Sequence, residues 1–402
     1  MSYLHGIEIK EGAKKTVITT GDTSVIALIG TAPQGAANEI KLINTLEAGK
    51  AEFGEDIAGF TIPSALNVIF SNINAKVLVV NVLANEKANA LLENGKMIRT
   101  EEGELSTGIY KNTLPSAADY TAEIVAGIAM VENTGNLLGV KPNIIIVPGY
   151  SQLQAVSAKM VQVAEKLNGF AIIDMAAASV QAALTARTSG AYNIASQAAV
   201  LCYPVVNRFN AHESINTEIG LSVFWAASKA TRDAEKGYWI SPSNTELEGI
   251  MGLTTEISSS LTDPAADTNL LNGAGIVTVF RKPGAGTRLW GNWTAAFPTE
   301  KTPDCMIAPR AVRMAIREAL IDATLNYVDK TPTQIAIDMV TEDVNEFLRG
   351  LAGKDAIIDG ECRFDAEKNT PAEIAQGRLT FVLAVKYQSS LECLTFEEVV
   401  EY

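Results

Sequence analysis

Two kinds of apolar spacing alternate through the first 240 residues. Five short runs, SVIALIG from Ser24, KVLVVNVL from Lys76, NIIIVPG from Asn143, FAIID from Phe170 and AVLCYP from Ala199, are continuously apolar. That make-up belongs to strands covered on both faces. Between them lie stretches with helical spacing, around Ile62 to Ile73, Ser151 to Leu167 and Ser179 to Arg187. A further one covers 219–236, where Ile219, Val223, Ala226, Ala227 and Ala230 recur close to the helical period of about 3.6 residues. Strand, helix, strand in this order predicts parallel crossovers and an open α/β sheet.

The remaining segments read differently. Residues 1–20 alternate weakly around Ile7 and Ile9 and predict an extended arm ahead of Gly21-Asp22. Residues 88–140 carry scattered charge, Gly and Thr, and predict an insertion or small peripheral domain. The stretch 237–300 is dense in Gly, Pro, Ser and Asn around Trp239, Trp290 and Trp293, as expected of ordered loops pinned by aromatic rings. Two helices follow, about 305–328 and 332–352, with Pro332 in the first turn of the second. Strands then begin at Ala356 and Arg378, and the chain closes with LECLTFEEVVEY, an acidic extended tail. The expected fold is α/β in a mixed α+β arrangement: an open α/β sheet core, a C-terminal helix pair plus strands, a peripheral insertion and extended terminal arms. The expected divisions are 1–20, 21–87, 88–140, 141–236, 237–390 and 391–402.

Bulk properties narrow the function classes. At 402 residues two or three domains are expected, and 47% hydrophobic with 19% charged residues is ordinary for a globular chain. A formal charge of −14 argues against a general nucleic-acid binder, which needs clustered Lys and Arg. The cysteines Cys202, Cys305, Cys362 and Cys393 lack CxxC spacing, so neither a disulfide framework nor a zinc site is indicated. The first residues contain no apolar signal core, and no apolar run approaches the ~18 residues that span a bilayer. Cytoplasmic synthesis and folding, without membrane insertion, are the expectation.

Catalytic motifs are approached and missed. Gly30 to Gly35 has the GxxxxG spacing of a phosphate loop, but Ala36 and Ala37 stand where Lys and Ser or Thr are needed, leaving a glycine-bearing βα turn. Ser151 sits between a strand and a helix as in a nucleophile elbow, yet Leu153 replaces the second glycine, and a helix N-cap is expected instead. His212 opens an HExxH-like run that ends on Asn216, and His5 lies in the extended arm. Gly273-Ala-Gly275 and Gly284-Ala-Gly286 do not complete a dinucleotide fingerprint, and the sequon at Asn292 has no secretory signal to give it meaning. No cofactor, metal or catalytic residue is assigned.

Three ordered blocks carry more information: GYWISPSN over 237–244, NLLNGAGIVT over 269–278 and TRLWGNWT over 287–294. In order and spacing they resemble the central signature of contractile tail-sheath proteins of phages and R-type pyocins. Trp239, Ser241, Pro242, Asn244, Asn272, Arg288, Trp290, Gly291 and Asn292 fall on that signature, while Trp293 stands where an Arg is common in the family. The start SYLHG and the turn PGYS at 148–151 are similar to family features as well. Each block also has a purely structural reading. Ser-Pro-Ser-Asn fixes a loop through one locked φ and local side-chain bonds, Arg288 next to Trp290 can stack or reach a carboxylate, and Gly291 relieves a bend.

The resemblance implies a structural subunit that polymerises helically around an inner tube and contracts to drive it through a cell envelope. It implies partners in the tail tube, the baseplate and the tail terminator, and a place in a virion tail or contractile particle assembled in the bacterial cytoplasm. It implies that 237–390 is the core facing the tube, with 21–87 and 141–236 in an outer region. The arms would add strands to neighbouring subunits, with Ile7, Ile9, Leu394, Phe396, Val399 and Val400 as apolar anchors and 378–388 as an acceptor strand. Arg310, Arg313 and Arg317 fall at i, i+3, i+7 of a helix, a candidate stripe for an acidic tube surface. The alternative is an α/β-fold enzyme with its site at the sheet's switch point.

Overall fold

The computed structural model describes residues 18–93, 95–97, 109–111, 113–114, 116–282, 284 and 286–400. They form two compact units, the described residues of 22–314 with 389–400, and 315–388 with 18–21. Ile7 and Ile9 lie outside the described residues.

The larger unit is built on one eight-stranded sheet. Its strands in chain order begin with β1 (Ile26–Gly30), β2 (Ile40–Ile43) and β3 (Val77–Asn81). After two minor pieces, the hairpin β4 (Leu92–Glu93) and β5 (Lys96–Met97) and the strand β6 (Ile109–Lys111), come β7 (Ile144–Ile146), β8 (Phe170–Asp174) and β9 (Ala199–Cys202). The chain continues through β10 (Val206–Asn210), β11 (Ile215–Ile219) and β12 (Ile250–Leu253) to β13 (Ile276–Arg281) and β14 (Thr287–Trp290). The sheet order is β14-β13-β9-β8-β7-β1-β3-β2, parallel from β13 to β3 with an antiparallel strand at each edge. The order reverses at β1, which pairs with β3 on one side and β7 on the other, so the expected stretches 21–87 and 141–236 are one doubly wound sheet.

Alternation along each strand explains the continuous apolar runs, because both faces are covered. Ile26, Leu28, Val77, Val79, Ile144, Ile146, Phe170 and Ile172 pack on one side, under α2 (Thr61–Asn72, following α1 at Leu46–Phe53) and α8 (Leu221–Lys236). Ala27, Ile29, Val80, Ile145, Ala171 and Ile173 face the other, under α4 (Thr121–Met130) and α6 (Gln154–Leu167). Three shorter helices, α3 (Asn85–Ala90), α5 (Thr134–Leu138) and α7 (Val180–Ser189), complete the run up to α8. A second sheet, β12-β10-β11-β6, carries the β10–β11 hairpin, which a buried Arg208–Asp56 ion pair and the Arg208–Ser64 contacts tie to the main body.

The smaller unit contains the end of α10 (Ile307–Thr324, after the short α9 at Asp267–Gly273), α11 (Gln334–Ala352) and the antiparallel pair β15 (Ile357–Phe364) and β16 (Phe381–Tyr387), joined through α12 (Pro371–Ala375). Asn345 of α11 donates to the Cys362 carbonyl (2.8 Å) and accepts from its N–H (2.7 Å), so one amide side chain serves β15 as a strand neighbour would. Phe364 and Phe381 meet edge to face with centroids 5.8 Å apart.

Four expectations are corrected. Residues 88–140 are not a peripheral insertion throughout: Ile124, Ile128 and Val131 are fully buried against Ile29, Val80 and Val82, so α4 is a covering helix of the main sheet. Nor is 237–390 one domain, since β13 pairs in parallel with β9 (Ile276↔Leu201, Val277↔Cys202) and the unit boundary falls at 314/315. The loop after β1 leads to the edge strand β2 rather than into a helix, and its Thr31 carbonyl accepts from the N–H groups of Thr61 and Ile62. Pro332 precedes the helix instead of entering it, because Thr333 is the N-cap and its hydroxyl accepts from Ala336 N.

The close approach of α4 is testable. A Cβ on Gly127 would stand 2.7 Å from Val82 Cγ1 and 3.1 Å from Ile29 Cγ2. Gly127→Leu is expected to lower the unfolding free energy of the purified chain by about 1–3 kcal/mol in urea titration. No loss would mean that α4 does not pack on β1 and β3.

Candidate assembly surface

The three sequence blocks, 237–244, 269–278 and 287–294, meet in one place. The first follows α8, whose side chains catch it as it leaves the helix. The buried Lys229 ammonium donates to the Tyr238 carbonyl (3.2 Å), while Arg232 reaches the Thr245 hydroxyl (2.9 Å) and the Asn244 carbonyl (3.2 Å). The segment then runs beside β14 like a short extra strand, with Asn244 N–H donating to Leu289 O (2.6 Å), Leu289 N–H to Thr245 O (2.9 Å) and Leu247 N–H to Thr287 O (2.8 Å). Arg288 reaches back to the Asn244 carbonyl (3.2 Å) and to the Glu246 carboxylate (3.4 Å).

Asn272, from the second block, is the cross-brace. Its amide nitrogen faces the carbonyls of Trp290 (3.1 Å) and Ile276 (3.0 Å), and its oxygen accepts from the Trp290 indole N–H (3.2 Å). The chain turns at Gly291 with φ +139°, where a Cβ would stand 2.8 Å from the end of the Asn272 side-chain amide. Only glycine takes this backbone without strain. Ser243 secures the same turn by accepting from Gly291 N–H (3.1 Å). Ser241 accepts from Ser243 N–H (3.1 Å), and its hydroxyl donates to Asn292 Oδ1 (2.7 Å). Next to it, the Trp293 ring stacks on Phe297 with centroids 4.3 Å apart. Trp239 meets Tyr238 edge to face at 5.1 Å, and Pro242 O accepts from the Thr245 hydroxyl (2.7 Å). Thr245, Arg232 and Glu246 were not singled out from the sequence, although Thr245 and Glu246 directly follow the SPSN run.

The C-terminal tail is extended and exposed, with Leu394 at 67%, Phe396 at 88%, Val399 at 79% and Val400 at 61%. Such a row of apolar side chains without cover is an assembly element or an aggregation hazard.

The arginine stripe is a different matter. Arg310 is buried over the Phe170 ring (5.6 Å) and donates to Gly169 O (3.3 Å). Arg313 pairs with Asp304 (3.0 Å) and hydrogen-bonds Gln197. Only Arg317 of the three is exposed, although its spacing puts it on the same helix face as Arg310, one turn beyond Arg313.

Residues 116–295 match the phage tail sheath protein central domain, and residues 23–82 match the tail sheath protein Gp18 domain III N-terminal region. The tail sheath protein of Burkholderia phage BcepMu is 31% identical, with 98% of this chain and 96% of that protein covered. The chain belongs to the phage tail-sheath family. The tail sheath protein of Escherichia phage P2 is 24% identical over 94% of this sheath protein and 90% of its own length. In fold, the sheath protein is similar to the anti-feeding prophage helical sheath in its contracted state, with a TM-score of 0.70 at 17% identity and 99% of each chain covered. A similar likeness holds to an extracellular contractile injection system sheath, PVC, also contracted (TM-score 0.70, 14% identity, 99% and 98% covered). This is a structural sheath subunit.

The crevice that the enzyme alternative requires does exist in the sheath subunit. A cavity of about 410 Å³ opens at the carboxyl ends of β7 and β8, lined among others by Pro148, Gln152, Asp174 and Glu218. Its most buried acid already has a structural task. Asp174 caps the N-terminus of α8, accepting from Ser222 N–H (2.8 Å) and from the Ser222 hydroxyl (2.5 Å). Ser151, expected as a helix N-cap, instead accepts from Asp174 N–H (3.0 Å), while α6 begins at Gln154 without a side-chain cap. His212 is exposed, with Nδ1 4.0 Å from a Glu55 oxygen. Among the described residues, no group of three metal-ligating side chains forms, and no helix is long and apolar enough to cross a membrane.

Burial pushes the Asp174 carboxyl up to about 6 from its ordinary 3.8, against the opposing Ser222 hydrogen bonds. Between pH 4 and 6 the folded chain therefore holds a proton that the unfolded chain has lost, and stability falls as pH rises through that window. Asp174→Asn keeps an amide able to bond Ser222 and removes the titration. Its loss of stability from pH 4 to pH 7 is expected to be smaller than the parent's by roughly 2–3 kcal/mol in denaturant titrations. Equal slopes would show that Asp174 ionises normally.

Proposed function

We propose that this sheath subunit polymerises helically around an inner tail tube and that the polymer contracts to drive the tube through a target envelope, without catalysing a reaction. The observation that carries this reading is the convergence of the three blocks into one braced loop. Every polar group named there is used to hold backbone or to join segments. The family's tail-sheath relatives and the likeness to contracted sheaths support it. Its partners are then other copies of the chain, the tube, the baseplate and the tail terminator, with neither nucleic acid nor lipid bilayer bound directly. Assembly takes place in the bacterial host cytoplasm, and the product is a virion tail or a related contractile particle.

Joining of subunits falls to the terminal segments, with Leu394, Phe396, Val399 and Val400 as anchors of a strand added to a neighbour. Backbone hydrogen bonds supply the strength of such an added strand, and alternate side chains supply its register. The pair β15–β16 supplies the acceptor, its β16 strand spanning most of 378–388. For the tube, the burial of Arg310 and the Asp304 pairing of Arg313 leave Arg317 as the cation of the original stripe that is offered outward.

Deleting residues 391–402 is expected to leave a folded, soluble subunit that no longer forms sheath, read by circular dichroism and by negative-stain microscopy. Normal sheaths from the truncated chain would rule out the tail as connector, and an unfolded product would make it part of the core. Arg317→Glu is expected to keep the melting temperature and to weaken co-assembly with purified tube, as a shift of the salt midpoint to lower ionic strength. An unchanged midpoint would move the tube contact elsewhere.

A further inference from the structure

Among the described residues, the tail is hydrogen-bonded to the rest of its own subunit through one acidic residue. Trp293 Nε1–H donates to Glu392 Oε2 at 3.1 Å, and Asn292 Nδ2–H donates to Glu392 Oε1 at 3.4 Å. Among the described residues, these two bonds are the hydrogen bonds that tie 389–400 to the rest of the chain. Neither donor arrives by chance of rotamer. The Ser241 hydroxyl occupies Asn292 Oδ1, so the amide must present its nitrogen outward, and Ser241 is itself oriented by Ser243 N–H. The Trp293 ring is held flat on Phe297, and its backbone forms a bridge with Met306. Two fixed donors, one from each of two consecutive residues, therefore meet the two oxygens of one carboxylate. Hydrogen bonds to an ionised acceptor are the stronger kind.

We infer that Asn292 and Trp293 form a two-point clamp for the Glu392 carboxylate, which fixes the place where the C-terminal arm leaves its own subunit. The inference rests on the reading of the tail as a connecting arm and adds what that reading lacks, a defined origin. Residues 393–400 then form the free part, with a reach of at most roughly 28 Å. An arm held at its root searches a smaller volume than one free from residue 388 onward, which raises the local concentration of its apolar anchors at the neighbour's sheet edge. The clamp also gives the indole at 293 a task of its own: a donor at this position faces the tail.

Cys393, next to the clamped residue, is the exposed cysteine, while Cys202, Cys305 and Cys362 are buried. A small fluorophore on Cys393 of the soluble, unassembled subunit reports the arm's root through time-resolved anisotropy. The unchanged chain is expected to show a restricted component, which Glu392→Ala reduces about fivefold. Trp293→Phe, which keeps the stack on Phe297 and removes the donor, is expected to reduce it in part. Adding Trp293→Phe to Glu392→Ala is expected to change nothing further. An equal restricted component in the parent and in Glu392→Ala overturns the clamp, as does an additive effect in the double variant. A parent chain that shows the restricted component yet never polymerises overturns the arm's proposed function and leaves the clamp standing. A parent chain that polymerises with an unrestricted root does the reverse.

Discussion

A parallel strand can satisfy its backbone only beside another strand, and the pairing of β13 with β9 is the contact on which the rest of this subunit depends. Through it, a segment some seventy residues downstream of β9, the preceding strand of the same sheet, is captured by the doubly wound core. With β13 in place, β14 pairs back antiparallel at the edge (Thr278↔Trp290, Phe280↔Arg288), and the SPSN run is then stitched to the outer side of β14. The braced loop is thus the finished edge of a sheet whose interior is buried on both faces. An edge left bare would offer its N–H and C=O groups to any passing strand. Here the stitching of residues 244–247 blunts it.

Stiffness at that edge has a mechanical sense in a subunit that must survive a rearrangement of its neighbours. The bonds that hold the loop are mutual: Asn272 ties β13 to Trp290, Ser243 ties the turn, and Ser241 ties Asn292. Networks of this kind rigidify when every member is used. The connecting segment meets it only at Glu392 among the described hydrogen bonds. The tail carries exposed Leu, Phe and Val on a segment with no regular structure, and its affinity has to come from a partner's sheet edge rather than from its own fold. Rigid bodies joined by extended connectors can change their mutual arrangement without unfolding either part.

Much of the fold was legible because doubly covered strands write themselves as continuous apolar runs. IALIG, VLVVN, III, FAIID and AVLC all became central strands. What was not legible was membership. The strand at 276–281 lies in a Gly-rich stretch, and nothing local says that it pairs with residue 201 rather than with the strands after 356. α4 carries Gly127 at the point where it crosses β1 and β3, and a glycine among scattered charges reads as a loop when it is in fact a close helix-to-sheet contact. At the assembly surface the signature residues were visible as types, but their geometry was not. The stripe Arg310, Arg313, Arg317 had helical spacing, and spacing alone does not say which way a face points. Arg310 turned inward, where its guanidinium covers Phe170 and meets the Gly169 carbonyl. Glu392 carried no signal at all, being one acid in a tail of four among residues 391–402.

The central claim is that a rigid, loop-braced body is joined to its neighbours by an arm that leaves it at Glu392. Helical reconstruction of assembled particles by electron cryomicroscopy tests it most directly, since it resolves both the loop and the path of residues 389–400 in every copy. The predicted map shows stacked rings of this chain around an inner tube, with the loop at 237–294 unchanged, Glu392 against Asn292 and Trp293 of the same subunit, and Leu394 to Val400 paired as a strand on a neighbour. A map in which the tail folds back onto its own subunit throughout, leaving the neighbour's sheet edge empty, would contradict it.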